Sequence, residues 1–359
     1  MYTLCWLHPH VGVMAVQAVW LDCDPGHNDA MAILLAGYSP ALQLLGVSTV
    51  ASNQVVEKTT RNALDVLDLI GLTHIGVVMG QAKPLLRPAA LLCPEIHGET
   101  GLDGPQGGPV LPHSGRQALP GKAAIVMFEA IQQHYGRQPQ QRVQLVCTGA
   151  LTNAALLLLL YPEVAGMIEI TIMGGALGVG NTGPVQEFNI QVDPEAAKVV
   201  FEAGVPLTMV PLEVTHTALA APEVLGRMFS RGGPGSISPF KALVELLLTF
   251  FASTYKEVFG FHGGAPLHDP CAIAAVIAPS IFKFELMRVD IETVSPLAAG
   301  QTVCDIWHQS SVPKNCRVAR QMDVDAFWEL MLAAVDAADL AAPMNKPQPT
   351  PDAAAAQEG

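Results

Sequence analysis

Short, continuously apolar runs recur along this chain, each followed by a turn and a segment of helical periodicity. This recurrence limits the fold more than any other feature. A run ending at Asp22 passes through a Pro-Gly turn into a helical pattern over about 28–36. Residues 42–50 read as a strand and 55–70 as a helix; 122–134 read as a helix, 143–147 as a strand and 152–160 as a helix. Then come a strand at 168–173, a helix at 194–203 and a strand at 207–210. Strands apolar on both faces must be covered on both faces, and helices between them make the pairing parallel. The pattern predicts an α/β fold: an open, mostly parallel, Rossmann-like sheet with helices on both faces. After Asp269 the pattern changes to a helix, hairpin-like strands around 288–293, 301–307 and 316–321, and a final amphipathic helix at 324–337. These predict a small, partly antiparallel C-terminal annex on one domain spanning 15–340. An N-terminal extension, 1–14, precedes it, and a Pro/Ala-rich tail, 342–359, is expected to be disordered.

Composition narrows the function classes. Half of the 359 residues are apolar and 14% are charged, enough for a large core. The formal charge is −13 and no Lys/Arg run occurs, which argues against a nucleic-acid partner. No apolar stretch reaches the roughly 18–20 residues of a membrane span. The seven cysteines are scattered without a CxxC pair, as in a reduced, cytosolic protein. Residues 1–14 carry no Lys or Arg, so they lack the basic start of a secretory signal. The expected location is the cytosol.

In open parallel sheets ligands bind at the carboxyl ends of the strands. After the first strand stand Asp22, Asp24, Asn28 and Asp29, with Asp22 and Asp24 on one face if the strand continues. Carboxylates gathered without Lys or Arg are costly unless a cation neutralises them. Hard oxygen donors suit Ca²⁺ or Mg²⁺ better than Zn²⁺. Read alone, the same residues also make a capped, solvated acidic turn. Later strand ends add Asn53, Thr148, Asn181, Glu187, Asn189, His268 and Asp269. A pocket of Asn, Asp and Glu without cationic side chains suits a neutral polyhydroxyl ligand such as a sugar or nucleoside, and suits phosphate badly.

Four segments in order, DCDPGHNDAMAILLA at 22–36, TGALTNAA at 148–155, MGGALGVGNTGPVQEFNIQVDPEAA at 173–197 and HDPCAIA at 268–274, resemble the inosine-uridine-preferring nucleoside hydrolases. The resemblance covers about 19–335. It implies Ca²⁺-dependent cleavage of the N-glycosidic bond of ribonucleosides, uridine, inosine and related purine nucleosides among them, in nucleoside catabolism or salvage. It implies a Ca²⁺ held by Asp24, Asp29, the Thr148 carbonyl and Asp269, with Asp24 also the base that activates water. Asn28, Asn53, Asn181, Glu187, Asn189 and Asp269 would hold the ribose, His268 would act as general acid to the leaving base, and Asp22 would support. Family members are commonly dimers or tetramers, so a homodimer or homotetramer is expected.

One position departs from the resemblance: Asn28 stands where the family pattern has Asp. An amide keeps an acceptor oxygen but loses the charge beside a developing oxocarbenium ion, which costs roughly 10²–10³ in rate. A catalytically weakened nucleoside or ribose binder is therefore the alternative. Phe251 and Tyr255, four residues apart, would share a helix face and could stack on a nucleobase or simply belong to the core. The loop 96–102 could act as a lid or be an ordinary turn. A haloacid-dehalogenase-type phosphotransferase would need a Thr or Ser and a phosphate-binding Lys near Asp22 and Asp24, and Pro25-Gly26-His27 supplies neither.

Overall fold

The computed structural model describes residues 16–230 and 237–346. Its strands are β1 (Gln17–Cys23), β2 (Leu42–Thr49), β3 (Val77–Met79), β4 (Val143–Cys147), β5 (Ile168–Met173), β6 (Leu207–Val210), β7 (Phe282–Met287), β8 (Val289–Ile291), β9 (Thr302–Cys304) and β10 (Cys316–Met322). Among the described residues one eight-stranded sheet runs in the order β3-β2-β1-β4-β5-β6-β10-β7. Every pairing in it is parallel except β10 with β7. The expected α/β fold is therefore observed. The chain leaves β1 toward β2 and β3, then returns to β4 on the other side of β1 and continues outward. The reversal lies between β1 and β4, and the loops there diverge to leave a crevice.

The central strands β1, β4, β5 and β6 are buried on both faces: Val19, Leu21, Val146, Ile170, Ile172 and Met209 are at most 1% exposed. The helix His27–Tyr38 is buried through its first ten residues, which is why its pattern is apolar nearly all round. The longest described helix, Pro239–Phe259, starts with Ser238 Oγ accepting the Lys241 N–H (3.1 Å) and ends at Gly260 in the left-handed conformation.

The annex is smaller than expected. Among the described residues only β8 and β9 form a separate antiparallel pair; the strand predicted at 316–321 is β10, a member of the main sheet beside β6. Its apolar and charged residues are interspersed, as in a half-exposed hairpin strand; it pairs antiparallel with β7, while its parallel partner β6 lies more than a hundred residues earlier. Residues 342–346, expected to open the tail, are folded. Ala342 is buried, Pro343–Asn345 forms a 3-10 turn, and Asn345 accepts the Phe240 N–H (3.1 Å) while donating to the Asp339 carbonyl (2.7 Å). The rest of the tail and the extension 1–14 lie outside the described residues. No described helix is long and apolar enough to cross a membrane.

Candidate active site

A cavity of about 450 Å³ opens at the crevice between β1 and β4. Its polar half carries Asn28, Asn53, Thr148, Asn181, Glu187, Asn189, His268 and Asp269. Segments far apart in sequence thus meet because each follows a strand end or opens a helix. Asp24 and Asp29 form the layer beneath, 1% and 0% exposed. No Lys or Arg lines this cavity among the described residues.

Asn53 ties the floor together. Its backbone N–H donates to Asp24 Oδ2 (2.8 Å), and its amide donates to the Asp24 carbonyl (3.0 Å) and Asp29 Oδ2 (3.2 Å). Asp29 also accepts the Gly26 N–H (3.1 Å), capping its own helix, and the Thr148 hydroxyl (2.8 Å). Asp24 Oδ1 is buried and has no hydrogen-bond partner among the described residues. A buried, unpartnered carboxylate oxygen is costly and points to a missing positive partner.

Charge repulsion says the same. Burial, then the neighbouring Asp29, pushes the Asp24 carboxyl well above the usual range; burial, then Asp29 and Asp24, does so for Asp269. Asp29 is raised by burial as well, against the hydrogen bonds that favour its charge. The carboxylates are neighbours rather than a finished cage: among the described residues no three His, Cys, Asp or Glu side chains already stand in a metal-holding cluster. Asp22 lies deeper, accepting from Ser48 Oγ (2.5 Å) and Asn153 Nδ2 (2.8 Å), and burial raises its carboxyl to about 7.

The wall after β5 is equally ordered. Glu187 caps the short helix Phe188–Val192, its carboxylate accepting N–H groups from Gly175 (2.9 Å), Asn189 (3.0 Å) and Ile190 (3.2 Å). Burial still lifts it to about 7. Asn189 donates its amide to the carbonyls of Thr148 (2.7 Å) and Met173 (3.2 Å). Asn181 Oδ1 accepts the Phe188 N–H (2.9 Å).

At the far end His268 bridges two hydroxyls: Nδ1 meets Thr215 Oγ1 and Nε2 meets Tyr255 OH, each at 2.7 Å. Burial, then His216, holds its pKa well below the ordinary histidine value. Tyr255 lines the cavity with Val258, Phe259, Ile96, Leu91 and Leu92. Phe251 does not: it is 0% exposed behind this wall, stacked on His27 and His97 with centroids 5.6 Å apart. The pattern four residues apart was right for a shared helix face, but only Tyr255 reaches the cavity.

Two residues went unassigned in the sequence reading. His97 lines the cavity from the segment 96–102, which the sequence left as a lid or an ordinary turn, and His27 contacts it, ring nitrogen to ring nitrogen, at 3.1 Å. Their separation in the chain hid the pair. Cys93 also lines the cavity, its thiol donating to Asn53 Oδ1 (3.2 Å).

Comparison with known proteins agrees with this geometry. The profile of a family described as inosine-uridine preferring nucleoside hydrolase matches residues 19–329. A probable ribonucleoside hydrolase of Dictyostelium discoideum is 47% identical over 323 residues, covering 89% of this chain and 94% of that one. A pyrimidine-specific ribonucleoside hydrolase, RihA, of Shewanella sp. strain MR-7 is 44% identical over 88% of this chain and 95% of its own. Among solved structures, a purine-preferring ribonucleoside hydrolase from Gardnerella vaginalis superposes with a TM-score of 0.81 at 28% identity, covering 90% of this chain and all of that one. Fold, site and similarity together define an enzyme that hydrolyses ribonucleosides. The chain belongs to the inosine-uridine preferring nucleoside hydrolase family.

Proposed function

We propose that this nucleoside hydrolase is Ca²⁺-dependent and acts on uridine and other pyrimidine ribonucleosides, with inosine and related purine nucleosides in its range. Pyrimidines come first because RihA relatives at 44% identity are named pyrimidine-specific, whereas the purine-preferring structure is 28% identical. The observation that carries the metal is Asp24 Oδ1, buried and unpartnered among the described residues beside Asp29 and Asp269. The donor chemistry fits: three carboxylates and the Thr148 carbonyl are hard oxygens. Bound there, Ca²⁺ would neutralise the carboxylates and lower the pKa of a coordinated water.

Asp24, its Oδ2 fixed by the Asn53 N–H, would also take the proton of the attacking water. Water oxygen bonds to the anomeric carbon as the C–N bond breaks, and the bond's electron pair leaves with the base. Asn28, Asn53, Asn181, Glu187, Asn189 and Asp269 would hold the ribose and stabilise its oxocarbenium-like charge. His268, oriented by Thr215 and Tyr255, would give a proton to the departing nitrogen. Tyr255, Val258 and Phe259 would face the base. The cation-free lining disfavours a phosphorylase. A purely binding homologue has less support, because the relatives are named as hydrolases.

We place the enzyme in the cytosol, which the free Cys23, Cys93, Cys147, Cys271, Cys304 and Cys316 support, and expect a homodimer or homotetramer. The test is release of reducing sugar from uridine, cytidine, inosine, guanosine and adenosine, with Ca²⁺ and with chelator. Release that chelation abolishes and Ca²⁺ restores is expected; release indifferent to chelation removes the metal, and none from any nucleoside removes the substrate class.

A further inference from the structure

The annex meets the sugar-facing wall through a buried hydroxyl. Thr302, the first residue of β9 and 2% exposed, accepts the Ala176 N–H (2.9 Å) and donates to the Ala176 carbonyl (2.6 Å). A single side chain thereby clamps both polar groups of one residue in the turn after β5. The residue before it, Gly175, donates its N–H to Glu187 Oε2. Gly175 has φ +77°, and a Cβ there would come within 2.8 Å of Thr302 Cγ2, so the turn and the threonine are in close contact. Two further ties run alongside. Gln186 Nε2 donates to the Leu297 carbonyl (2.7 Å), and a Cβ on Gly300 would lie 2.6 Å from Gln191 Cα.

We infer that Thr302 is a positioning residue for the ribose-binding wall: it fixes the Gly175–Ala176 turn and, through the Gly175 N–H, the Glu187 carboxylate. The inference rests on the reading of Glu187 as a ribose contact. Glu187 itself cannot hold its place from one side. Two of its three N–H donors belong to its own short helix, and only Gly175 links it to the sheet. The β8–β9 pair, read in the sequence as an appendage, is thereby a brace for the site. Valine at 302 would fill the same space but offer Ala176 no hydrogen bond.

The experiment compares Thr302→Val, Thr302→Ala and Thr302→Ser with the unaltered full-length enzyme, Ca²⁺ present. Two readouts are taken: kcat and KM for uridine, and amide hydrogen exchange over residues 174–191. Valine and alanine should raise KM about three- to tenfold and lower kcat by a similar factor, since Glu187 meets the ribose in both ground and transition states. Exchange over 174–191 should quicken in both and return to the original rate in serine, which can make both bonds. Unchanged KM in an active valine variant would overturn the inference, even if exchange quickened. Failure of valine and alanine to fold, with serine folded, would also overturn it, assigning Thr302 to stability alone. Quickened exchange in variants of an enzyme that hydrolyses no nucleoside would sink the functional reading instead, leaving the brace between Thr302 and Glu187 in place.

Discussion

The side-chain oxygen of Asn28 accepts the backbone N–H of His268 at 3.1 Å, joining the starts of the helices His27–Tyr38 and Asp269–Ile277. A backbone N–H can only donate, so the amide oxygen is committed and the NH₂ end is left for the cavity. A carboxylate at this position would keep that bond with one oxygen and offer the other, charged, to the sugar. Asn28→Asp should therefore raise the rate of ribose release from uridine by roughly 10²–10³. An unchanged rate, measured at saturating Ca²⁺, would show that charge here is immaterial.

Asp24 is the residue whose loss should separate activity from stability. Asp24→Asn should lower kcat by about 10²–10⁴, the usual contribution of a positioned base. Burial and Asp29 already oppose its charge, so metal-free thermal unfolding should not move downward. A fall in Tm with turnover intact would place Asp24 among the scaffold residues.

The line Thr215–His268–Tyr255 predicts dependence on the leaving group. His268→Ala should lose about 10²–10⁴ in turnover of uridine. It should lose far less on 4-nitrophenyl riboside, whose phenolate departs without a proton. Equal losses on the two substrates would show that His268 shapes the cavity rather than supplying the proton.

Calcium and protons should compete. Asp22 and Glu187 stand at about 7 in the fold against 3.8 and 4.5 ordinarily, both through burial. For such raised groups the favourable contribution is present below the unfolded value and lost as pH rises through the folded one, a window of about pH 4 to 7. Asp24, Asp29 and Asp269 shift in the same direction. The buried histidines oppose this trend, but with and without metal alike to first approximation. The rise in Tm on adding Ca²⁺ should therefore grow from about pH 4 to about pH 7, reaching the equivalent of roughly 2.7 kcal/mol at a hundredfold excess over Kd. Thermal scans giving a pH-independent increment would contradict neutralisation of these carboxylates.

Phe251 and Phe259 should part company. Phe251→Leu, in the stack with His27 and His97, should cost roughly 1–2 kcal/mol of stability and leave base preference alone. Phe259→Ala, on the cavity wall, should shift relative KM values between uridine and inosine. Denaturant unfolding and a two-substrate comparison check both.

Much of this was legible in local pattern. The strands at 143–147, 168–173 and 207–210 stood out because apolar runs with turn residues at both ends have few other uses. Three-residue β3 offers too short a signal, and β7 is a short alternating run, FKFELM, that follows the 3-10 turn Pro279–Ile281 directly. The parallel pairing of β10 with β6 joins segments whose adjacency no local window can reveal. In the site, Asp24, Asp29, Glu187 and Asp269 were visible because charge without counter-charge is conspicuous at strand ends. His97 was not, since its place depends on a loop folding back over His27. Phe251 and Tyr255 look alike in sequence; only packing separates the one in the core from the one at the cavity.

The contact of Asn345 with the first turn of the helix Pro239–Phe259 reaches further than its position suggests. That helix carries Tyr255 and Phe259 to the cavity about two dozen ångströms along its axis. A chain cut short after Ala342 would lose the clasp on the helix's opening turn. Trimming the C-terminus into residues 343–346 therefore begins to loosen the side of the enzyme that bears Tyr255 and Phe259.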